Sequence, residues 1–129
     1  MKRLALSLLL VLSLVACNRD EAAKSLAPGA ATPAPAGDAE RGKALVSQYG
    51  CNVCHVVPGI GGPQGSLGPS LAGVASRPAI SFGKVQNTPE NLVRYIQNPA
   101  SLNPQSSMPP IGLTDADARD VTAFLLTLE

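Results

Sequence analysis

Tryptophan is absent from this 129-residue chain, and only two Phe and two Tyr are present. A domain of that length with so few large rings has a thin core unless something else fills it. A basic excess is also missing. The formal charge is +1, and it becomes −1 once Lys2 and Arg3 leave with an N-terminal leader, because eight basic residues then face nine acidic ones. The charges are scattered, so no basic face is offered to nucleic acid. Histidine occurs once, at His55, and cysteine three times, at Cys17, Cys51 and Cys54. The Gly-rich stretch 58–69 is followed by no Gly-Lys-Ser/Thr and is no phosphate loop. No internal repeat and no convincing strand pattern stands out.

What the N-terminus does have is an export signal, residues 1–16. Lys2 and Arg3 supply the positive start, and Leu4 to Val15 is an apolar run broken only by serines, too short for a membrane-spanning helix. It ends Leu14-Val15-Ala16-Cys17, which is similar to the bacterial lipoprotein cleavage box. That resemblance implies cleavage before Cys17, diacylglycerol on its sulfur and, in many bacteria, an acyl chain on its amine. The alternative is an ordinary signal peptide with a chance cysteine. Several acyl chains would hold the chain at a membrane surface, facing the periplasm or the cell exterior, without a spanning segment. Asn18 stands where an Asp would favour inner-membrane retention in enteric-type bacteria, so the membrane is left open. Residues 17–37 then form a lipidated cysteine and an Ala/Pro-rich tether, with too little bulky apolar surface to fold. Its reach is at most roughly 60 Å as polyproline and averages roughly 25 Å as a coil. It either lets a domain sample partners near the membrane or serves as a plain spacer.

The remaining chain, 38–129, centres on Cys51-Asn52-Val53-Cys54-His55. Two cysteines separated by two residues and followed by histidine form the attachment signature of haem c. Each thiol adds across one porphyrin vinyl group and leaves a thioether. One helical turn spaces the sulfurs to suit both vinyls, and the next residue, His55, lies where it can bind the iron. A redox dithiol or half of a zinc site would share the Cys-x-x-Cys. A zinc site lacks its further ligands near the motif, and a thioredoxin-like motif would follow a strand in a βαβ unit. A buried porphyrin would also fill the core that the missing aromatics leave thin.

Around the motif the pattern is helical. Asp38 caps a helix over 40–48 that Gly50 ends, with Gly42, Leu45, Val46 and Tyr49 on one face. Pro58 to Pro69 is loop. Thr88-Pro89-Glu90 starts a second helix, which Asn98-Pro99 stops. Leu102 to Leu113 is extended and proline-rich. Thr114 opens the last helix, with Asp117 placed for a capping box and Val121, Phe124, Leu125 and Leu128 as a core stripe. Met108 is the only methionine left after the leader is removed, and it sits in Ser-Ser-Met-Pro-Pro, a rigid polar loop that is a poor place for a core filler. It is a candidate for the sixth iron position; a merely exposed Met is the alternative.

Together these residues resemble class I cytochrome c, the small monohaem electron carriers. The resemblance covers about 38–129. It rests on Gly42 before the haem motif, Gly68-Pro69-Ser70-Leu71-Ala72-Gly73 with Arg77 trailing, Tyr95, Asn98-Pro99, Pro104 and Met108, and Phe124 in the last helix. It implies an all-α fold of three main helices wrapped around one covalent haem, with His55 and Met108 on the iron and no enzymatic activity. The Pro69 carbonyl would accept a hydrogen bond from the outer nitrogen of His55. Arg77 would lie near a haem propionate, Ser106 could bond one, and Tyr95 would bring its hydroxyl near the Met108 sulfur. The alternatives are a surface arginine, a solvated hydroxyl and a core tyrosine. Thioether ligation would favour the ferrous state relative to two histidines. Family members that dock by a ring of lysines carry them around the Met loop; here Ala100, Ser101, Gln105, Ser106 and Ser107 are uncharged. The resulting expectation is a membrane-anchored carrier passing single electrons between redox partner proteins. The alternatives are a fixed subunit of a larger respiratory complex, and a haem sensor or enzyme with a displaceable Met.

Overall fold

Asp38 caps the first helix. Its carboxylate accepts the Glu40 and Arg41 backbone N–H groups at 2.9 and 3.0 Å, satisfying donors that the first turn of α1 (Ala39–Gln48) leaves without partners. The computed structural model describes residues 36–129; the export signal, Cys17 and nearly all of the tether lie outside the described residues. Gly50, at φ +70°, then turns the chain into the single-turn helix α2 (Cys51–Cys54). A long loop follows, ending in a 3-10 turn over Val74–Ser76. Thr88 accepts the Asn91 N–H and Pro89 fills the first position of α3 (Pro89–Gln97). A 3-10 turn over Pro99–Ser101 and the proline-rich segment lead to α4 (Asp115–Leu125). No helix among the described residues is long and apolar enough to cross a membrane.

The three main helices meet in one apolar cluster. Leu45 and Val46 come from α1, Ile96 from α3, and Val121, Phe124 and Leu125 from α4; Val46 is wholly inaccessible. Contact between α1 and α4 is close because Gly42 lies flat on the Asp120 backbone, where a methyl group would overlap the carbonyl. Gly37, which the sequence assigns to the tether, lies equally close to the Arg119 carbonyl, so packing begins there.

Two features depart from the sequence reading. First, a small antiparallel hairpin joins β1 (Ala79–Ile80) and β2 (Val85–Gln86). Two residues per strand carry no legible alternation. Its turn uses Ser81 and Phe82 at φ 52° and 54°, where Asn-Gly or Asp-Gly would normally signal a left-handed turn. Second, Asp117 does not complete a capping box on the Thr114 backbone. Its own N–H bonds Thr114 Oγ1, and its carboxylate accepts the Thr114 hydroxyl at 2.8 Å, the Tyr49 hydroxyl at 2.9 Å and the Arg41 guanidinium at 3.0 Å. Arg41 also pairs with Asp120, whose other oxygen accepts the Asp38 N–H at 2.7 Å.

Both features of the α1–α4 contact generate predictions. Gly42→Ala should lower stability by about 2–3 kcal/mol, because the overlap outweighs the roughly 1 kcal/mol that alanine gains in a helix; an unchanged urea midpoint would refute the close contact. The hydroxyls of Thr114 and Tyr49, then the Arg41 charge, hold the Asp117 carboxyl below its usual range. A lowered folded value contributes stability above the ordinary carboxylate range, and that stability is lost as pH falls through the folded value. Melting curves of wild type and Asp117→Asn should therefore differ at pH 7 and draw together as pH falls below the ordinary carboxylate range. A gap that persists in acid would contradict this.

Candidate cofactor-binding site

Gly50 places Cys51 and Cys54 on one helical turn, three residues apart and so on one face. Both are unpaired and half-buried. Burial pushes the Cys51 thiol above its ordinary value, so as a free thiol it is protonated.

His55 leaves the turn in an extended conformation, and its Nδ1 lies 2.7 Å from the Pro69 carbonyl oxygen. A carbonyl can only accept, so Nδ1 carries the proton and Nε2 keeps the lone pair that can bind a metal. Gly68 lies against the imidazole ring, where a methyl group would overlap it. The loop supplying this carbonyl is tied down from several sides. The Gly68 N–H donates to the Cys54 carbonyl and the Leu71 N–H to the Val56 carbonyl, both at 2.8 Å. Gln64 accepts the Val57 N–H and donates to the Ile60 carbonyl. Arg77 donates to the Ser70 and Ala72 carbonyls at 2.7 and 2.6 Å, so its guanidinium braces the segment that carries Pro69.

Met108 is half-buried at the margin of the apolar cluster. The hydroxyl of Tyr95 bonds Ser81 Oγ at 3.0 Å and shares a hydrogen bond with Ser106 Oγ at 2.8 Å. Ser106 Oγ also accepts the Met108 N–H at 3.3 Å, so Tyr95 is linked to the methionine loop through Ser106. Asn103 donates to Ser81 at 2.9 Å. Sequence reasoning missed Ser81 and Asn103. Neither lies in a periodic segment, and Ser81 reaches the network from the unrecognised hairpin turn.

The residues suit a flat apolar group with one metal. Leu71, Ile80, Val93, Met108 and Ile111 pack on the core yet are only partly covered. Gly68 keeps the approach to the imidazole clear of a side chain. Among the described residues, no three His, Cys, Asp or Glu side chains form another metal site.

The comparisons agree with this geometry. The cytochrome c family model matches residues 39–129. Among solved structures, cytochrome c2 from Rhodobacter sphaeroides is similar, at 25% identity and a TM-score of 0.57, over 71% of this chain and 96% of that one. No curated protein matches.

The ring contact gives a direct test. Gly68→Ala should displace the imidazole from Pro69, remove the downfield Nδ1 proton signal of His55, and lower stability by about 1–3 kcal/mol. Retention of that proton signal in the variant would show that the glycine is not required.

Proposed function

The chain belongs to the cytochrome c family and carries one haem c on Cys51 and Cys54, and we propose that this monohaem electron carrier works as a lipid-anchored protein at the outer face of a bacterial membrane. When bound, the haem iron supplies a one-electron couple. His55, with Nε2 free, and Met108, through its thioether, would hold the iron. With two protein ligands on the iron, little would be left to bind a substrate, which favours electron transfer over enzymatic catalysis.

The observation that carries this reading is the His55–Pro69 hydrogen bond beside the two cysteines, because it fixes the tautomer that a metal ligand needs. Sharing the Nδ1 proton with a carbonyl also makes the imidazole a stronger donor. Tyr95, Ser81, Asn103 and Ser106 hold the methionine loop in one arrangement, so a change of charge at the metal requires little movement of the ligand. Arg77 acts through the Pro69 loop and offers positive charge to the carboxylates of the group. Cys17 carries the lipid, supported by Leu14-Val15-Ala16-Cys17 at the end of the apolar run, and the exported domain faces the periplasm or cell exterior, where thiol-to-haem attachment takes place.

One preparation tests the parts together. Protein matured with c-type haem should keep its colour through acid-acetone, and its intact mass should include acyl chains that Cys17→Ser abolishes. Its ferric spectrum should show a Met-to-iron charge-transfer band that Met108→Ala removes. Colour extracted by acid-acetone, or a high-spin ferric resting state in the unaltered protein, would overturn the carrier reading.

A further inference from the structure

Ser81, Phe82 and Gly83 stand in the left-handed region one after another, at φ 52°, 54° and 82°. The Gly83 N–H closes on the Ile80 carbonyl at 3.1 Å and the Lys84 N–H on the Ser81 carbonyl at 3.2 Å, so the whole hairpin turn winds left-handed. Glycine enters that region freely, whereas serine and phenylalanine are crowded there by their own Cβ atoms. Phe82 brings no packing in compensation, because its side chain is 90% exposed. Strain of this kind persists only where the surroundings hold it, and it gathers where a side chain has work to do. What the turn gains is the position of Ser81 Oγ, which accepts from the Tyr95 hydroxyl at 3.0 Å and from Asn103 Nδ2 at 2.9 Å.

Those two bonds settle where each proton of the network lies. Tyr95 has a single hydroxyl proton and gives it to Ser81. In the 2.8 Å bond between Tyr95 and Ser106 the proton therefore comes from Ser106. Ser106 Oγ in turn takes the Met108 N–H at 3.3 Å. The order runs one way, from the methionine loop through Ser106 and Tyr95 to Ser81. It stops there because Asn103 fills the second lone pair of Ser81 Oγ. Both the Tyr95 and the Ser106 protons are thus spent on oxygen, and neither is left for the Met108 sulfur.

We infer that Ser81 is a positioning residue for the methionine ligand: by taking the Tyr95 proton it keeps both hydroxyls from donating to the Met108 thioether. This rests on the reading of Met108 as an iron ligand. A hydrogen bond to a coordinated sulfur draws electron density from it, and ferric iron loses more by that than ferrous iron does. A thioether free of such a bond favours the ferric state by comparison. The crowded turn then has a purpose, since it brings an acceptor to Tyr95 from a segment 14 residues away in sequence.

The test uses the haem-loaded full chain in mild detergent, with Ser81→Gly as the main variant. Glycine suits φ 52° better than serine, so the turn is kept while the acceptor is lost. At a fixed poised potential the ferrous-to-ferric ratio should rise about threefold in Ser81→Gly, the scale of one modest hydrogen bond. Tyr95→Phe should leave that ratio unchanged or raise it, because no bond to sulfur is lost and the Ser106 proton is released. In the reduced unaltered protein, the Tyr95 hydroxyl proton should show nuclear Overhauser contacts to the Ser81 β protons and none to the Met108 methyl group. An unmoved or lowered ratio in Ser81→Gly, a lowered ratio in Tyr95→Phe, or a contact from the phenol proton to the Met108 methyl would each overturn the proposal. So would loss of the Met-to-iron charge-transfer band in Ser81→Gly, which would mean that Ser81 holds the loop and not the proton. The same band separates the two readings. Should the unaltered protein lack it, the ligand reading falls and the role of Ser81 with it; a band in place beside any of the contrary results defeats the role of Ser81 alone.

Discussion

The contact of Gly42 with the Asp120 backbone governs the position of everything else. The cysteine turn follows α1 after only Tyr49 and Gly50, so wherever α1 lies, Cys51, Cys54 and His55 follow. With no side chain at residue 42, α1 can rest on α4 backbone to backbone, and the apolar stripe of α4 then closes over Leu45 and Val46. Polar bonds fix the same pair of helices against sliding. Arg41 reaches Asp117 and Asp120, and Tyr49 reaches Asp117, next to the turn itself. Helix register and placement of the cofactor residues are thus one constraint.

At the haem-binding end the wiring is of a different kind. Among the bonds described there, all but the one Arg77 brace come from backbone amides, side-chain amides, hydroxyls and the imidazole. This suits an apolar site. A charge placed against a buried flat ring loses hydration that neighbouring dipoles restore only in part, whereas a neutral bond fixes direction without that penalty. Gln64 and Asn103 link segments that have no regular secondary structure to hold them, and Asn52 ties α2 to the loop at Pro63. The outcome at His55 is a single tautomer with its lone pair on Nε2, fixed before any metal is considered.

Much of this was legible because it is local. Asp38, Thr88 and Thr114 are hydroxyl or carboxyl residues directly before periodic apolar positions, and each caps the helix that follows. The cysteine spacing encodes its own geometry, since one turn of helix is the only regular structure that brings the pair together before His55. What escaped notice depends on distant parts of the chain. The 79–86 hairpin has too few residues for a pattern, and its turn is made by Ser81 and Phe82 against their usual preference. Asp117 has the spacing of a capping residue, but its partners Tyr49 and Arg41 lie in α1, and only the tertiary contact of the helices reveals them. The same holds for Ser81 and Asn103, which join Tyr95 only after the hairpin and the methionine loop have met.

The distribution of charge connects these two ends to the proposed role. Asp38, Arg41, Asp117 and Asp120 are concentrated where the N-terminal segment arrives and the helices cross. The segments 44–76 and 95–114, which hold the cysteines, His55 and Met108, contain no Asp, Glu, Lys or Arg. A carrier with so little net charge gains almost nothing from long-range attraction, and its encounters with a partner are slow when both diffuse freely. Under the proposed reading, a lipid on Cys17 would change that balance. Confinement at a membrane would raise the effective concentration of membrane-bound partners to roughly the millimolar range, so the search would no longer depend on an electric field. Once steering is unnecessary, a ring of charges around the exchange site would only add desolvation to every docking and undocking step. Segments without charge around the cofactor residues then suit a protein that must release its partner after one electron, and under the proposed reading a membrane anchor would meet the same physical requirement.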